Sequence, residues 1–368
     1  MKSIWLFSSW RDLLFLFIPV WLTWLVAFVL PDHLLQTDIP AWILLVFIFG
    51  IDVGHVWSTL FRTYLDREEF SNHRQLLVSA PIIAFLLSFV LAFVSIDLFW
   101  RCLAYVAVYH FVKQQYGFMR IYKAKSKDFQ KKIISDNFAI YLSMLYPVFY
   151  WHLNLDRNFQ WFVEGDFIQF ELPATISHYL NYSGNIIYFL LLGGWLFEEL
   201  YRKSKTGNQL ATGKIIWILT TAGNWYLGII YFNSDLVFTI TNVVAHGLPY
   251  FALIIFYTDK KRMLKSVTHS VKKGHLSARR GFQIAYTIVF TVLLLAFFEE
   301  FLWDRFVYQE EAGFFQSLFG IPFPEINTSV TAIAIALLSV PQITHYIIDG
   351  FIWKSNDKNP YLKPILID

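Results

Sequence analysis

Ten runs of mostly apolar residues divide this chain, and the loops between them alternate in charge. The runs cover about 12–30, 41–61, 76–95, 98–122, 134–152, 184–200, 213–232, 236–257, 282–302 and 328–353. Crossing the hydrocarbon core of a bilayer takes roughly 20 apolar helical residues, so each run is a candidate span. If the chain starts on the cytoplasmic side, 26 of the 30 Lys and Arg residues fall in cytoplasmic segments. These are Lys2 and Arg11, Arg62, Arg67 and Arg74, the cluster from Arg120 to Lys132, the group from Arg202 to Lys214, the stretch from Lys260 to Arg280, and Lys354, Lys358 and Lys363. The outer loops hold only Arg157 and Arg305, with Asp32, Asp38, Asp156, Glu164, Asp166, Glu171, Glu310, Glu311 and Glu325. A miscounted span would scramble this alternation, because basic loops mark the cytoplasmic face. The expected fold is therefore an all-α polytopic membrane bundle of about 10 transmembrane helices, with both termini cytoplasmic. No soluble domain or internal repeat interrupts it, so residues 1–368 read as a single integral membrane domain.

Composition supports lipid as the solvent. The chain is 56% hydrophobic and 15% charged, whereas a soluble protein is typically about a quarter charged. Aromatic residues make up 20%, which suits rings anchored at both membrane interfaces. The apolar run after Met1–Trp10 is too long for a signal peptide and lacks a small-residue cleavage site. A bacterial inner membrane is the expected location. Cys102 is the only cysteine, which rules out an internal disulfide or a thiolate cluster. There is no P-loop, Rossmann fingerprint, HExxH or GxSxG, so NTP-driven work, zincin proteolysis and serine hydrolysis lack support. No nucleic-acid partner is expected.

Ionisable groups inside spans are costly and mark function. Four histidines stand out: His55, His110, His246 and His345, on the second, fourth, eighth and tenth runs. All four runs descend toward the cytoplasm. The next basic residue follows 7, 10, 14 and 9 positions later, at Arg62, Arg120, Lys260 and Lys354. At 1.5 Å per residue the rings lie roughly 10–21 Å from the cytoplasmic helix ends. A shared direction and depth point to one polar layer.

Carboxylates accompany two of the rings. Asp52 precedes His55 by three positions and Asp349 follows His345 by four, spacings that put each pair on one helix face. Bundle-core metal sites use the same device. Gln114 and Lys113 share the face of His110. The expected metal ligands are His55, His110, His246 and His345, with Asp52, Asp349 and Gln114 orienting them or completing the coordination sphere. Each histidine alone reads better as an interhelical hydrogen-bonding residue than as a ligand, and only the set of four points to a metal. Pro249 and Pro341 remove helical hydrogen bonds nearby, exposing carbonyls that neighbours must satisfy. Gly54, Gly117, Gly247 and Gly350 would admit a close backbone or ligand. Glu198 and Glu199 read as a helix end paired with Arg202 and Lys203. His33, His73, His152, His178, His269 and His275 read as solvated, with His73 within reach of the layer from below.

Histidine and carboxylate donors suit Fe(II), with zinc, copper or haem as alternatives. Four isolated histidines on separate spans of a basic-loop, bacterial-type membrane protein resemble the Brp/Blh-type membrane β-carotene 15,15′-dioxygenases. The likeness rests on His55, His110, His246 and His345; no histidine here has another within four positions, so local motifs of that family are not matched. The resemblance implies a non-haem iron oxygenase acting on a lipid or isoprenoid. A haem-binding redox protein and an ion-coupled transporter using Asp52, His55, Lys113 and Asp349 are the competing expectations. Membrane lipids and an apolar lipid-like substrate are the expected partners, and the basic cytoplasmic loops, above all 258–281, would dock a redox partner or an acidic carrier.

Overall fold

The computed structural model describes residues 4–36, 41–206, 209–269, 278–309, 312–324 and 327–367. Among them every regular element is a helix, as expected where backbone groups must satisfy one another without water. Ten of these are long: α1 (Ser9–Val29), α2 (Leu45–Arg62), α3 (Arg74–Val94), α4 (Ile96–Ser126), α5 (Asp136–Leu153), α6 (Ala174–Thr206), α7 (Thr212–Trp225, prolonged to Tyr231), α8 (Asp235–His269), α9 (Ala278–Trp303, prolonged to Tyr308) and α10 (Thr328–Ile352). Six of them, α1, α2, α3, α8, α9 and α10, are long and apolar enough to cross a membrane. The other four lie at the remaining expected spans but carry more polar residues. α4 holds Arg101, His110, Lys113, Gln114 and Gln115, while α6 ends in Glu198, Glu199 and Arg202 and α7 begins beside Lys214.

α2 changes its winding along its length. It runs in wide i→i+5 turns over Leu44–Val53, tightens to an α-helix over Gly54–Ser58, and ends in a 3₁₀ turn over Thr59–Arg62. Such departures recur at functional sites, and here the change falls between Asp52 and His55.

The chain forms two compact units. The first comprises Met1–Pro40, Ala107–Pro249 and Leu366–Asp368. Within it α5 packs against α6 and α7. Buried Asp12 ties the start of α1 to α4, accepting hydrogen bonds from Leu6 N at 2.6 Å, Phe7 N at 2.8 Å and Tyr122 Oη at 2.8 Å. Gly213 permits the close approach of α7, since a Cβ there would lie 2.5 Å from the Tyr122 ring. Arg157, in the loop after α5, donates to the carbonyls of Ile229, Ile230 and Phe232 at 2.8, 2.9 and 2.8 Å. It thereby satisfies carbonyls that the end of a helix leaves unpaired.

The second unit comprises Ala41–Val106 and Tyr250–Ile365. α3 packs along α10 through a buried strip of small residues, Ala80, Ala84, Ser88 and Ala92, spaced one per turn. Small side chains let membrane helices approach closely and gain van der Waals contact. Its other face exposes Ile82, Ile83, Leu86, Leu87, Val90 and Phe93, a band suited to lipid rather than water.

Several sequence expectations change here. His73 and His152 are buried, not solvated: His73 Nε2 is 2.9 Å from Asn359 Oδ1, and His152 Nδ1 is 2.7 Å from Val148 O. A Cβ on Gly117 or Gly350 would meet nothing within 4 Å, so neither serves a close approach; Gly54 does, with Phe251 3.0 Å away. The basic 258–281 stretch is not all loop, because α8 runs on to His269. Residues 270–277, with Lys272, Lys273 and His275, lie outside the described residues, as do Lys2, Asp38, Glu310, Glu311 and Glu325.

Candidate metal centre

In the second unit, α2 and α10 bring His55 and His345 together. Both rings are buried, with centroids 5.0 Å apart and planes near perpendicular at 79°. Tyr250 of α8 packs edge-on against both, at 5.8 Å from His55 and 5.1 Å from His345. Asp52 Oδ1 stands 3.6 Å from His55 Nδ1, and Asp349 Oδ1 stands 3.8 Å from His345 Nδ1. Both separations exceed a hydrogen bond. Asp349 is engaged otherwise, accepting from Tyr250 Oη at 2.6 Å. The close partner of His345 Nδ1 is Thr59 Oγ1, at 2.7 Å.

In the first unit, α4 and α8 pair His110 with His246. Their buried rings have centroids 5.1 Å apart at 80°. His246 also lies flat on Phe111, at 3.6 Å and 7°. Trp161, from the loop after α5, meets Phe111 edge-on at 5.0 Å, so that loop roofs this pair with aromatic rings.

The proline beside His246 shapes the backbone here. Pro249 has no N–H for the carbonyl of Ala245, four residues back. Gln115 supplies the missing donor, with Nε2 3.1 Å from Ala245 O. Gln114 Nε2 donates to His246 O at 2.7 Å, so Gln114 holds the histidine's backbone rather than its ring. Lys113 turns away, being exposed, 3.4 Å from Tyr141 Oη and over the Tyr116 ring.

The four histidines thus form two buried pairs, His55 with His345 in the second unit and His110 with His246 in the first. No protein-family model, curated protein or solved structure matches the chain. Its chemistry has to be read from the site itself.

The first unit also gathers carboxylates. Oxygens of Asp128, Asp136 and Glu199 lie within 4.8 Å of one another, but ammonium groups already sit among them. Lys132 Nζ is 2.7 Å from Asp128 Oδ2 and 2.9 Å from Asp136 Oδ1, and it also binds Glu199. Lys214 Nζ is 3.0 Å from Asp136 Oδ1 and 2.9 Å from Glu199 Oε1, and it also binds Asp128. Lys123 Nζ adds a bond to Asp136 Oδ2 at 2.7 Å. Burial pushes the Asp128 carboxyl up, but Lys214 and Lys132 together hold it below its usual range. Burial likewise opposes the Lys132 charge, and the three carboxylates outweigh it and raise that pKa. This is an ion-pair cluster, and it corrects the reading of Glu199, which pairs with Lys132 and Lys214 rather than with Arg202 or Lys203. Glu198 lies 3.9 Å from Arg202 and accepts from the backbone N–H groups of Ile133 and Ile134 at 3.0 and 3.1 Å.

The sequence reading missed three residues. Thr59 and Tyr250 each follow a site histidine by four positions, a spacing that was visible. Glu299 breaks the apolar run of α9 and is buried, receiving the indole N–H groups of Trp57 at 2.5 Å and Trp303 at 3.3 Å. A charge within a span was the signal there.

Proposed function

We propose that this protein is a membrane-embedded metalloenzyme in which His55, His110, His246 and His345 hold one iron ion and that it oxidises a lipid or isoprenoid. The observation that carries the reading is the burial of all four histidines as two near-perpendicular ring pairs, with centroids 5.0 and 5.1 Å apart. Neutral imidazole nitrogens suit iron, and these four residues would hold the ion. A haem would use two of the four histidines and leave the other pair without a role. Bound iron with neutral imidazole ligands and open positions supplies oxygen activation.

The chain's own side chains supply the rest. Phe111, Trp161 and Tyr250 give the site apolar walls, which admit a greasy substrate and keep water from reactive species. Asp52 and Asp349 place carboxyl groups beside His55 and His345. The topology is the ten-span arrangement with both termini cytoplasmic, in a bacterial inner membrane. There Lys260, Arg262 and Lys265 form the described part of a basic surface for a redox partner or acidic carrier. The isoprenoid assignment draws on the likeness to Brp/Blh-type dioxygenases.

Metal analysis of protein purified without chelator tests the reading. Wild type is expected to retain about one equivalent of iron, and His→Ala at any of the four positions should remove it from protein that still inserts. Full metal content in all four variants would sink the shared site. Topology has its own check: a reporter after Asp368 should read cytoplasmic and one near Gly165 external.

A further inference from the structure

The second unit holds a chain of hydrogen bonds that ends on a histidine ring. Its members are His345, Thr59, Tyr250 and Asp349, from α10, α2, α8 and α10 again. His345 Nδ1 is 2.7 Å from Thr59 Oγ1, Thr59 Oγ1 is 3.0 Å from Tyr250 Oη, and Tyr250 Oη donates to Asp349 Oδ1 at 2.6 Å. Thr59, Tyr250 and His345 are all buried, so bulk water does not compete for these protons.

Proton counting gives the chain a direction. Tyrosine and threonine each carry a single O–H donor. Tyr250 gives its proton to the Asp349 carboxylate, so at the contact with Thr59 it can only accept. Thr59 must then donate to Tyr250, which leaves Thr59 Oγ1 with lone pairs alone toward His345. The partner across that 2.7 Å contact must therefore be a protonated Nδ1. In a neutral imidazole with Nδ1 protonated, the lone pair is on Nε2.

We infer that Thr59, Tyr250 and Asp349 form a positioning relay that fixes the His345 ring as the Nδ1–H tautomer and presents Nε2 to the metal. The inference rests on the metal-site reading for what Nε2 binds, but the tautomer itself does not depend on metal. Asp349 acts on His345 through two hydroxyl groups, although the two residues are only one helical turn apart. Outer partners of this kind orient ligating histidines and raise their basicity.

Nitrogen NMR of metal-free protein labelled with ¹⁵N-histidine and held in lipid bilayers tests the relay. The His345 signals are assigned by their loss in His345→Gln. Wild type should show a protonated Nδ1 and an unprotonated Nε2. Thr59→Ser keeps the hydroxyl and should keep this pattern, whereas Thr59→Val should mix the two tautomers. With Fe(II) added, Thr59→Val should bind about 10–100-fold more weakly than wild type, and Thr59→Ser should recover most of the affinity. An unprotonated Nδ1 in wild type would mean that the chain runs the other way, from a protonated Asp349, and would overturn the inference. So would a Thr59→Val protein with unchanged tautomer and affinity. If Thr59→Val fails to fold, the wild-type tautomer decides alone. Should the protein keep this tautomer yet bind no metal, the relay stands and only the metal reading falls.

Discussion

Two groups of side chains in this protein carry metal-binding atoms, the carboxylates of the first unit and the histidine pairs, and they differ in charge. Asp128, Asp136 and Glu199 are three anions, and Lys123, Lys132 and Lys214 bring three cations to them. The cluster is neutral as it stands, and a divalent ion would have to displace ammonium groups already hydrogen-bonded in place. The four histidines carry no formal charge as neutral imidazoles, and their rings pack against Thr59, Tyr250, Phe111 and, within each pair, each other. Proximity of donor atoms is thus a poor guide to a metal site by itself. What separates the groups is whether protein cations already occupy the space between the donors.

The sharpest way to break this contrast is to cut into each group and weigh the metal. His246→Ala should reduce bound iron from about one equivalent to almost none, because a buried site that loses one of four ligands no longer holds the ion. Asp128→Asn, in the other group, should leave metal content unchanged within error. Equal losses from both, read by elemental analysis of folded protein, would mean that the acidic cluster binds the metal. Stability should respond the other way round. Lys214 is fully buried and faces three carboxylates, so Lys214→Ala leaves buried anions without a partner. A loss of about 3–5 kcal/mol is expected, seen as a large drop in unfolding midpoint in detergent with no change in iron per folded molecule. A loss below about 1 kcal/mol, the range of exposed pairs, would show that water reaches the cluster.

The parts legible in the sequence are those that obey a local rule. Charge alternation and run lengths gave an all-helical membrane chain. The common depth of His55, His110, His246 and His345 marked residues that the structure buries as two pairs. Spacing of four paired Asp349 with His345 and Gln114 with His110. The same rule reaches further than was used, for Thr59 follows His55 by four and Tyr250 follows His246 by four. Every site histidine has a hydrogen-bonding side chain one turn later, and three of these four residues, Thr59, Tyr250 and Asp349, turn out to serve His345. That convergence was not legible, because Thr59 and His345 are 286 positions apart and only packing brings them together. The ion cluster was hidden for a related reason. Counting Lys132 and Lys214 as basic residues placed them on the cytoplasmic side, but charge sign alone does not reveal a buried anion 67 or 15 positions away.

The smallest expected effect concerns acid, and it sharpens the contrast by titrating one group only. Asp128 lies in the loop before α5, where burial raises its pKa but Lys214 and Lys132 bring it below the usual value. Asp66, after α2, is similar: burial raises its pKa, and Lys261 at 2.9 Å, the Glu69 backbone N–H and Lys265 together lower it further than burial lifts it. A carboxylate whose pKa is lower folded than unfolded binds fewer protons when folded. Its contribution to stability is therefore complete above the unfolded value, about 3.9 for aspartate, and fades as pH falls through the folded value. The difference in unfolding midpoint between wild type and Asp128→Asn should accordingly stay constant from neutral pH down to roughly pH 4 and close below it. Comparing two proteins cancels other titrations they share, including any within the spans. A difference that shrank between pH 7 and 5 instead would mean that Asp128 titrates above its ordinary range. Burial would then outweigh Lys132 and Lys214, and the charge balance that separates this cluster from the histidine group would be lost.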